Sequence, residues 1–158
     1  MPQASVIPIN NLADTDPPER LSDLELFDRP NDDGSALLLT FELSQASDIG
    51  SYEVYASSTD FSSVAPGSGG PSIPIASLDR TPDLPLEIKE VMGDLPVLPG
   101  MEIWVAVVAI DTSGNAYLDD LTVVSSQAVD DGFDDSGDYM TPVEDLQAVW
   151  NDVGILVT

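Results

Sequence analysis

The chain of 158 residues contains no cysteine and no histidine. The first absence excludes disulfide bonds and thiolate metal sites, and the second excludes every catalytic triad that uses an imidazole base. Basic residues are also scarce, since only four Lys and Arg stand against 29 Asp and Glu, for a formal net charge of −25. A surface this acidic repels nucleic-acid phosphates and anionic lipids, so nucleic acid is excluded as an expected partner.

Long apolar runs are missing as well. No stretch approaches the ~20 consecutive apolar residues of a membrane-spanning helix, so direct membrane insertion is not expected. The opening residues, MPQAS, show neither a basic region nor an apolar run, and no signal peptide is visible. If the parent protein is secreted, we expect its signal to lie outside this chain.

Strand signals dominate what is present. Apolar–polar alternation and an enrichment in β-branched and aromatic residues predict strands over residues 21–27, 36–42, 51–56, 84–91, 102–110 and 121–129. A period of two places Leu37, Leu39 and Phe41 on one face. The segment 102–110 is apolar on both faces, which predicts a central strand covered on both sides or covered by a neighbouring domain. Residues 65–74, rich in Gly, Pro and Ser, are interpreted as a loop that contributes nothing to a core.

Several short motifs follow one another in a recognisable order. They are the Pro-rich entry Asp14–Pro18, the Tyr-x-Val-Tyr segment Tyr52–Tyr55, the corner Val97–Val105 and the loop Ala109–Asn115. In this order they resemble a fibronectin type III domain, over roughly residues 16–129. The resemblance implies an all-β, immunoglobulin-like (fibronectin type III-type) seven-strand β-sandwich. Ile103 stands where that family has its corner tyrosine, so we expect this corner to be held by packing alone, and residues 56–83 exceed the family's usual middle connection.

The two ends carry a second pattern. In the tail, Pro142, Asp145-Leu146, Trp150 and an apolar run ending in Thr158 repeat the order of Pro18, Asp23-Leu24, Phe27 and the run ending in Thr40. We therefore predict partial neighbouring-repeat strands at both ends of the sandwich. The predicted organisation is 1–15 as an N-terminal extension resembling the last strand of a preceding repeat, 16–129 as the sandwich, 130–140 as an acidic linker and 141–158 as the first strands of an incomplete following repeat.

Two explanations of these ends remain open. The chain is a fragment of a tandem array, or its unfinished strands complete a sandwich in a second copy by β-strand addition. The sequence favours the fragment. In both cases the expected partners are other repeats of the same protein or further copies of this chain.

Acidic clusters are the candidates for binding chemistry. Calcium takes six to eight oxygen ligands from carboxylates, amides and carbonyls, and turns of this chain concentrate such atoms. The candidate metal ligands are Asp28, Asp32, Asp33, Asp111, Asp130, Asp131, Asp134 and Asp135. Because the run 130–138 lacks the spacing of an EF-hand loop, the sequence favours a solvated acidic linker over a calcium site. No other cofactor is expected.

Catalytic motifs are not found. No histidine is present to activate a serine, no Gly-x-Ser-x-Gly elbow occurs, and no lysine follows the glycines of residues 67–70 as in a phosphate-binding loop. The sequence therefore predicts that the chain is not an enzyme. The favoured function is an extracellular or cell-surface structural or adhesion module, such as a stalk, filament or surface-layer repeat, and the alternative is an accessory spacer or binding module of a secreted hydrolase.

Overall fold

The computed structural model describes residues 13–132 with their side chains, and the backbone of two further strands, Ala148–Asn151 and Gly154–Val157. The secondary structure of these residues consists of β-strands joined by turns and loops. This confirms the all-β prediction. Within the described part of the chain, no helix is long and apolar enough to cross a membrane.

The described residues form eleven strands, and the pairings between these strands are antiparallel. In chain order they are β1 (Leu24–Asp28), β2 (Leu37–Phe41), β3 (Ile49–Ser57), β4 (Ala76–Asp79), β5 (Leu86–Ile88), β6 (Glu90–Val91), β7 (Leu95–Pro96), β8 (Glu102–Asp111), β9 (Val124–Gln127), β10 (Ala148–Asn151) and β11 (Gly154–Val157). One sheet has the order β1-β2-β5 and a second has the order β4-β3-β8-β9, while β6-β7 and β10-β11 form separate two-stranded pairs.

The two larger sheets share one hydrophobic core. The predicted period of two in β2 is confirmed, since Leu37 and Leu39 are fully buried and Phe41 is 6% exposed. Tyr52 of β3 meets Phe41 edge to face with ring centroids 5.3 Å apart, and its hydroxyl accepts a hydrogen bond from the Ser44 amide at 3.0 Å. The ring of Tyr52 is therefore packed in the core, while its hydroxyl group has a hydrogen-bond partner.

The second face of β8 has a smaller core of its own. Tyr55 and Val108 are buried there with Val64, at the start of the long connection between β3 and β4. The main chain ties this layer together, because the Val64 amide donates to the Leu118 carbonyl at 2.8 Å. The prediction that β8 is covered on both sides is confirmed, and the cover comes from loops of the same chain. The expectation that residues 65–74 contribute nothing to a core is wrong for Pro71, which is fully buried.

The corner before β8 is held by more than packing. Ile103, in the predicted corner motif Val97–Val105, is fully buried. In addition, the Gly100 amide donates to the Ala128 carbonyl at 2.8 Å, and the Ala128 amide donates to the Met101 carbonyl at 3.3 Å. These bonds fix the corner to the chain that follows β9.

Some elements differ from the sequence-based expectation. No strand was predicted at β4 or β7, which are four and two residues long and carry little apolar pattern. Phe27 lies in the predicted strand 21–27, yet it is 40% exposed. The reason is the alternation along β1, where Leu24 faces the core and Phe27 faces the opposite side.

Leu39→Ala tests the shared core. Leu39 is fully buried, so we expect the free energy of unfolding to fall by about 2–5 kcal/mol. Ile73→Ala is the matched control, because Ile73 is 72% exposed and its truncation should change stability by less than ~0.5 kcal/mol. Urea unfolding of both variants measures the difference, and equal losses would contradict the assignment of the core.

Candidate functional site

Five of the predicted acidic residues come together where the chain leaves the second sheet. We call this site the acidic junction: the loop 28–34 after β1 and the exit segment 129–132 after β9. The Val129 amide donates to Asp28 Oδ1 at 2.8 Å, and Asp33 forms an isolated β-bridge with Asp130. The Asn31 amide donates to Asp131 Oδ2 at 2.9 Å, and the Asp131 amide donates to the Asp32 carbonyl at 3.0 Å. Two segments about 100 residues apart in the sequence are thus bonded to each other.

The close approach of these segments depends on one glycine. Gly34 has a φ of +75°, and a Cβ atom placed on it would lie 2.9 Å from the Asp130 nitrogen and 3.0 Å from the Pro99 side chain. Any larger residue would be strained by its backbone conformation and would push the exit segment away. The turn thereby brings Asp32 under the exit segment.

Asp32 is fully buried at the centre of the acidic junction. Its Oδ1 accepts a hydrogen bond from the Gly34 amide at 2.9 Å, whereas its Oδ2 has no hydrogen-bond partner among the described residues. Burial raises the pKa of this carboxyl group, and the neighbouring carboxylates of Asp28 and Asp33 raise it further, while the backbone amides of Gly34 and Ala36 oppose these effects. The raised pKa means that Asp32 takes up a proton more readily than an ordinary aspartate does.

The other predicted ligands have different surroundings. Asp28 is half-buried at the end of β1, and Asp33, Asp130 and Asp131 are exposed. Asp111 lies outside the acidic junction, at the far end of β8 from Glu102, whose neighbour on β9 is Gln127. The nine steps along β8 from Glu102 to Asp111 correspond to about 30 Å. Asp134 and Asp135 lie outside the described residues.

Asp111 belongs to a second acidic group, and its other two members, Asp14 and Asp48, were not among the candidate ligands. Carboxylate oxygens of Asp14, Asp48 and Asp111 lie within 4.8 Å of one another. Asp48 immediately precedes β3, and the pairing of Ile49 with Asp111 brings it to the end of β8. Asp48 could have been placed beside Asp111 only if the pairing of β3 with β8 had been known.

The carboxylate of Asp111 is fully engaged by its own turn. Oδ1 accepts bonds from the Ser113 and Asn115 amides at 2.8 Å, and Oδ2 accepts one from Asn115 Nδ2 at 2.8 Å. Burial opposes ionisation of Asp111, but the bonds from Asn115, Ser113 and Gly114 outweigh it and hold the pKa below its ordinary value. This side chain acts as the cap of a tight turn.

The chemistry available at these sites is that of oxygen ligands. Carboxylates are donors that hard cations such as calcium prefer. Among the described residues, the three carboxylates close enough together to share a cation are Asp14, Asp48 and Asp111, and those of the acidic junction form no such group. A surface groove also occurs, lined by residues 19–23 and 42–46. Its ionisable side chains, Glu19, Arg20, Asp23 and Glu42, are all exposed, so it holds no desolvated carboxyl group of the kind used in acid–base catalysis.

Comparison with known proteins adds one distant similarity. No protein-family model and no curated protein matches the sequence. Among solved structures, the spore cortex lytic enzyme SleM of Clostridium perfringens superposes with a TM-score of 0.43 and 14% sequence identity. The match covers 73% of this chain and 29% of that protein, so the chain spans less than a third of its length. A likeness this weak supports no statement about function.

The depressed pKa of Asp111 predicts a pH-dependent contribution to stability. Because the folded-state pKa lies below the ordinary value of 3.8, the contribution is fully present above about pH 5 and is lost as the pH falls through the folded-state pKa. We expect Asp111→Asn to be less stable than the parent chain at pH 6, with the difference shrinking towards pH 3. Thermal unfolding of both proteins over this range measures it, and a constant difference would contradict the assignment.

Proposed function

We propose that this chain is a non-catalytic structural module, a stalk, filament or surface-layer repeat that acts outside the cell. Its sheet orders, β1-β2-β5 and β4-β3-β8-β9, support a seven-strand sandwich of the immunoglobulin-like, fibronectin type III type. In this proposal the sandwich is a rigid unit, and its interior is occupied by its own side chains.

The docking of the exit segment carries the proposal. A spacer must pass force and orientation from its sandwich to whatever follows, which requires the departing chain to be attached to the sandwich. Asp131 meets this requirement through two bonds to the loop after β1, one through its carboxylate and one through its amide. The Val129 amide adds a third bond, to Asp28. The direction in which the chain departs is therefore set by the sandwich.

Self-association is the second part of the proposal. In each of the two larger sheets the outermost strands, β1 and β5 or β4 and β9, pair on one side with a strand of the same sheet. Such edges accept a further strand from another chain. The strands β10 and β11 pair with each other, as β1 pairs with β2. The N-terminal extension, which resembles a last strand, lies outside the described residues up to residue 12 and remains a predicted donor.

Force spectroscopy on the full chain, placed between reference domains, tests the structural role. We expect one cooperative unfolding event, since residues 13–132 contain both sheets and their shared core. At ~3.5 Å per extended residue this segment lengthens by roughly 40 nm. Gradual extension without a discrete event would contradict a load-bearing module. Cleavage of a polysaccharide or peptide by the purified chain would contradict the non-catalytic assignment.

Light scattering across a concentration series tests the self-association. If strand exchange operates, the mass should rise with concentration beyond that of the 16.7 kDa chain. A chain lacking residues 1–12 is the matched variant, and it should lose the association if those residues donate the strand. A constant monomer mass at all concentrations would overturn strand exchange while leaving the spacer role standing.

A further inference from the structure

The β1 edge of the first sheet is suited to accept a further strand. Among the described residues β1 pairs with β2 on one side alone, and its five residues make it longer than the other outermost strands of the two larger sheets, β4, β5 and β9. An unpaired edge of this kind is a template for a strand of another chain. The main-chain direction and the charges of β1 indicate which strand it fits.

The main chain of β1 presents every second residue to the open side. The Arg29 amide continues the ladder with β2 by donating to the Ala36 carbonyl at 3.4 Å. Before the strand, the Asp23 carbonyl accepts a hydrogen bond from the Glu42 amide at 3.1 Å. Since main-chain groups alternate in direction along a strand, the odd-numbered residues of β1 face β2. The even-numbered residues therefore direct their amides and carbonyls to the open side.

The side chains on the outer face of β1 form a self-complementary set. Glu25 and Phe27 are exposed, and Phe27 lies in one row with Leu38 and Glu87 across the sheet. Arg29 is on the same face, because its Nη1 lies 2.9 Å from Glu87 Oε1. An acidic, an aromatic and a basic residue thus follow one another at a spacing of two. When a second β1 runs antiparallel to the first, each charge meets the opposite charge of the other strand.

Charge favours a second copy of this chain as the partner at this edge. A chain of net charge −25 repels its own copies across most of its surface. The β1 side is different, because β1 lies beside β9 (Val124–Gln127), which contains no charged residue. The other acidic residue of β1, Asp28, is turned to the exit segment and accepts the Val129 amide at 2.8 Å. Approach along this side thus meets less repulsion than approach through the acidic turns, and contacts between Glu25 and Arg29 favour it.

We propose that β1 binds β1 of a second copy as an antiparallel pair centred on Phe27, which joins two three-stranded sheets into one of six strands. The two Phe27 rings then lie side by side, and Glu25 of each copy faces Arg29 of the other. The Arg29 guanidinium carries five donors, so it can bind this carboxylate while its bond to Glu87 remains. Such a pair is isologous and closes on itself. Its short strands make the contact weak, at the low end of interface sizes.

This inference rests on the self-association proposed above and gives it a surface. Sedimentation equilibrium of the full chain measures it, and we expect a dimer of the 16.7 kDa chain to form as the concentration approaches ~1 mM. A chain lacking residues 1–12 should pair equally well, because its β1 is intact. Association that disappears with those residues would overturn the β1 pair and support strand exchange instead.

Glu25→Arg is the decisive variant. It places like charges opposite each other at both ends of the pair, so we expect the dissociation constant to rise at least tenfold. The same change reduces the net negative charge by two, which by itself would ease the approach of two copies. Glu90→Arg is the matched control, since it makes the same change of charge at an exposed residue of β6, outside the two larger sheets. Association of Glu25→Arg as strong as that of Glu90→Arg would overturn the proposal.

A complementary variant tests the register of the pair. Arg29→Glu also sets like charges against each other, so it should not pair with itself. In an equal mixture of Arg29→Glu and Glu25→Arg, opposite charges face each other at both ends, and the dimer should return. Thermal melts check that each variant is folded, because Arg29→Glu also removes the bond to Glu87. Two folded variants that fail to associate when mixed would contradict the antiparallel register.

Amide NMR shifts locate the contact within β1. As the concentration rises, we expect larger changes in the amide protons of the residues that face the open side than in those already bonded to β2. The first group is Leu24, Leu26 and Asp28, and the second is Glu25 and Phe27. Changes centred on another edge strand would overturn the site. A chain that stays monomeric but still unfolds in one cooperative force event would remove this contact and leave the structural role standing.

Discussion

The burial of both faces of β8 is the constraint on which the rest of the structure depends. This strand is ten residues long and apolar throughout its middle, so neither face is stable in contact with water. Its ladder with β3 runs from Ile49 opposite Asp111 to Ser57 opposite Trp104. One face is covered by the opposing sheet, and the other is covered by the loops that carry Val64 and Leu118. The long connection between β3 and β4 is therefore a structural layer.

Excess negative charge is the second constraint, and the chain distributes its few cations accordingly. Glu87 on β5 lies between Arg29 and Lys89, at 2.9 and 3.2 Å. Arg20 covers the Tyr117 ring at 3.9 Å and donates to the Asp119 carbonyl, which ties the entry of the first strand to the loop before β9. The contacts of Arg20 and Arg29 connect segments distant in sequence. The acidic residues gather mainly in turns, where water or cations can reach most of them.

The sequence predicted the long strands and their buried faces, because the alternation along β2 and β3 and the continuous apolar run of β8 are local patterns. It did not predict β4 or β7, whose strand character comes from pairing with a neighbour. For the acidic residues, spacing alone suggested one candidate set. Asp111 lies at the end of β8 that is far from the acidic junction. The register of β3 with β8 brings Asp48 next to Asp111. Register is a property of two strands together, so no single segment reveals it.

Composition and local pattern determined by themselves that this protein is all-β, strongly acidic and without imidazole or thiol chemistry. Only the tertiary structure decided which carboxylates are buried. Asp32 and Asp33 are neighbours in one acidic turn and carry identical groups, yet one is fully buried and the other is exposed. The difference arises because Gly34 allows the exit segment to close over the turn, and that approach joins parts of the chain about 100 residues apart. Burial depends on contacts between segments that are distant in the sequence, whereas charge and apolar periodicity can be read from each segment by itself.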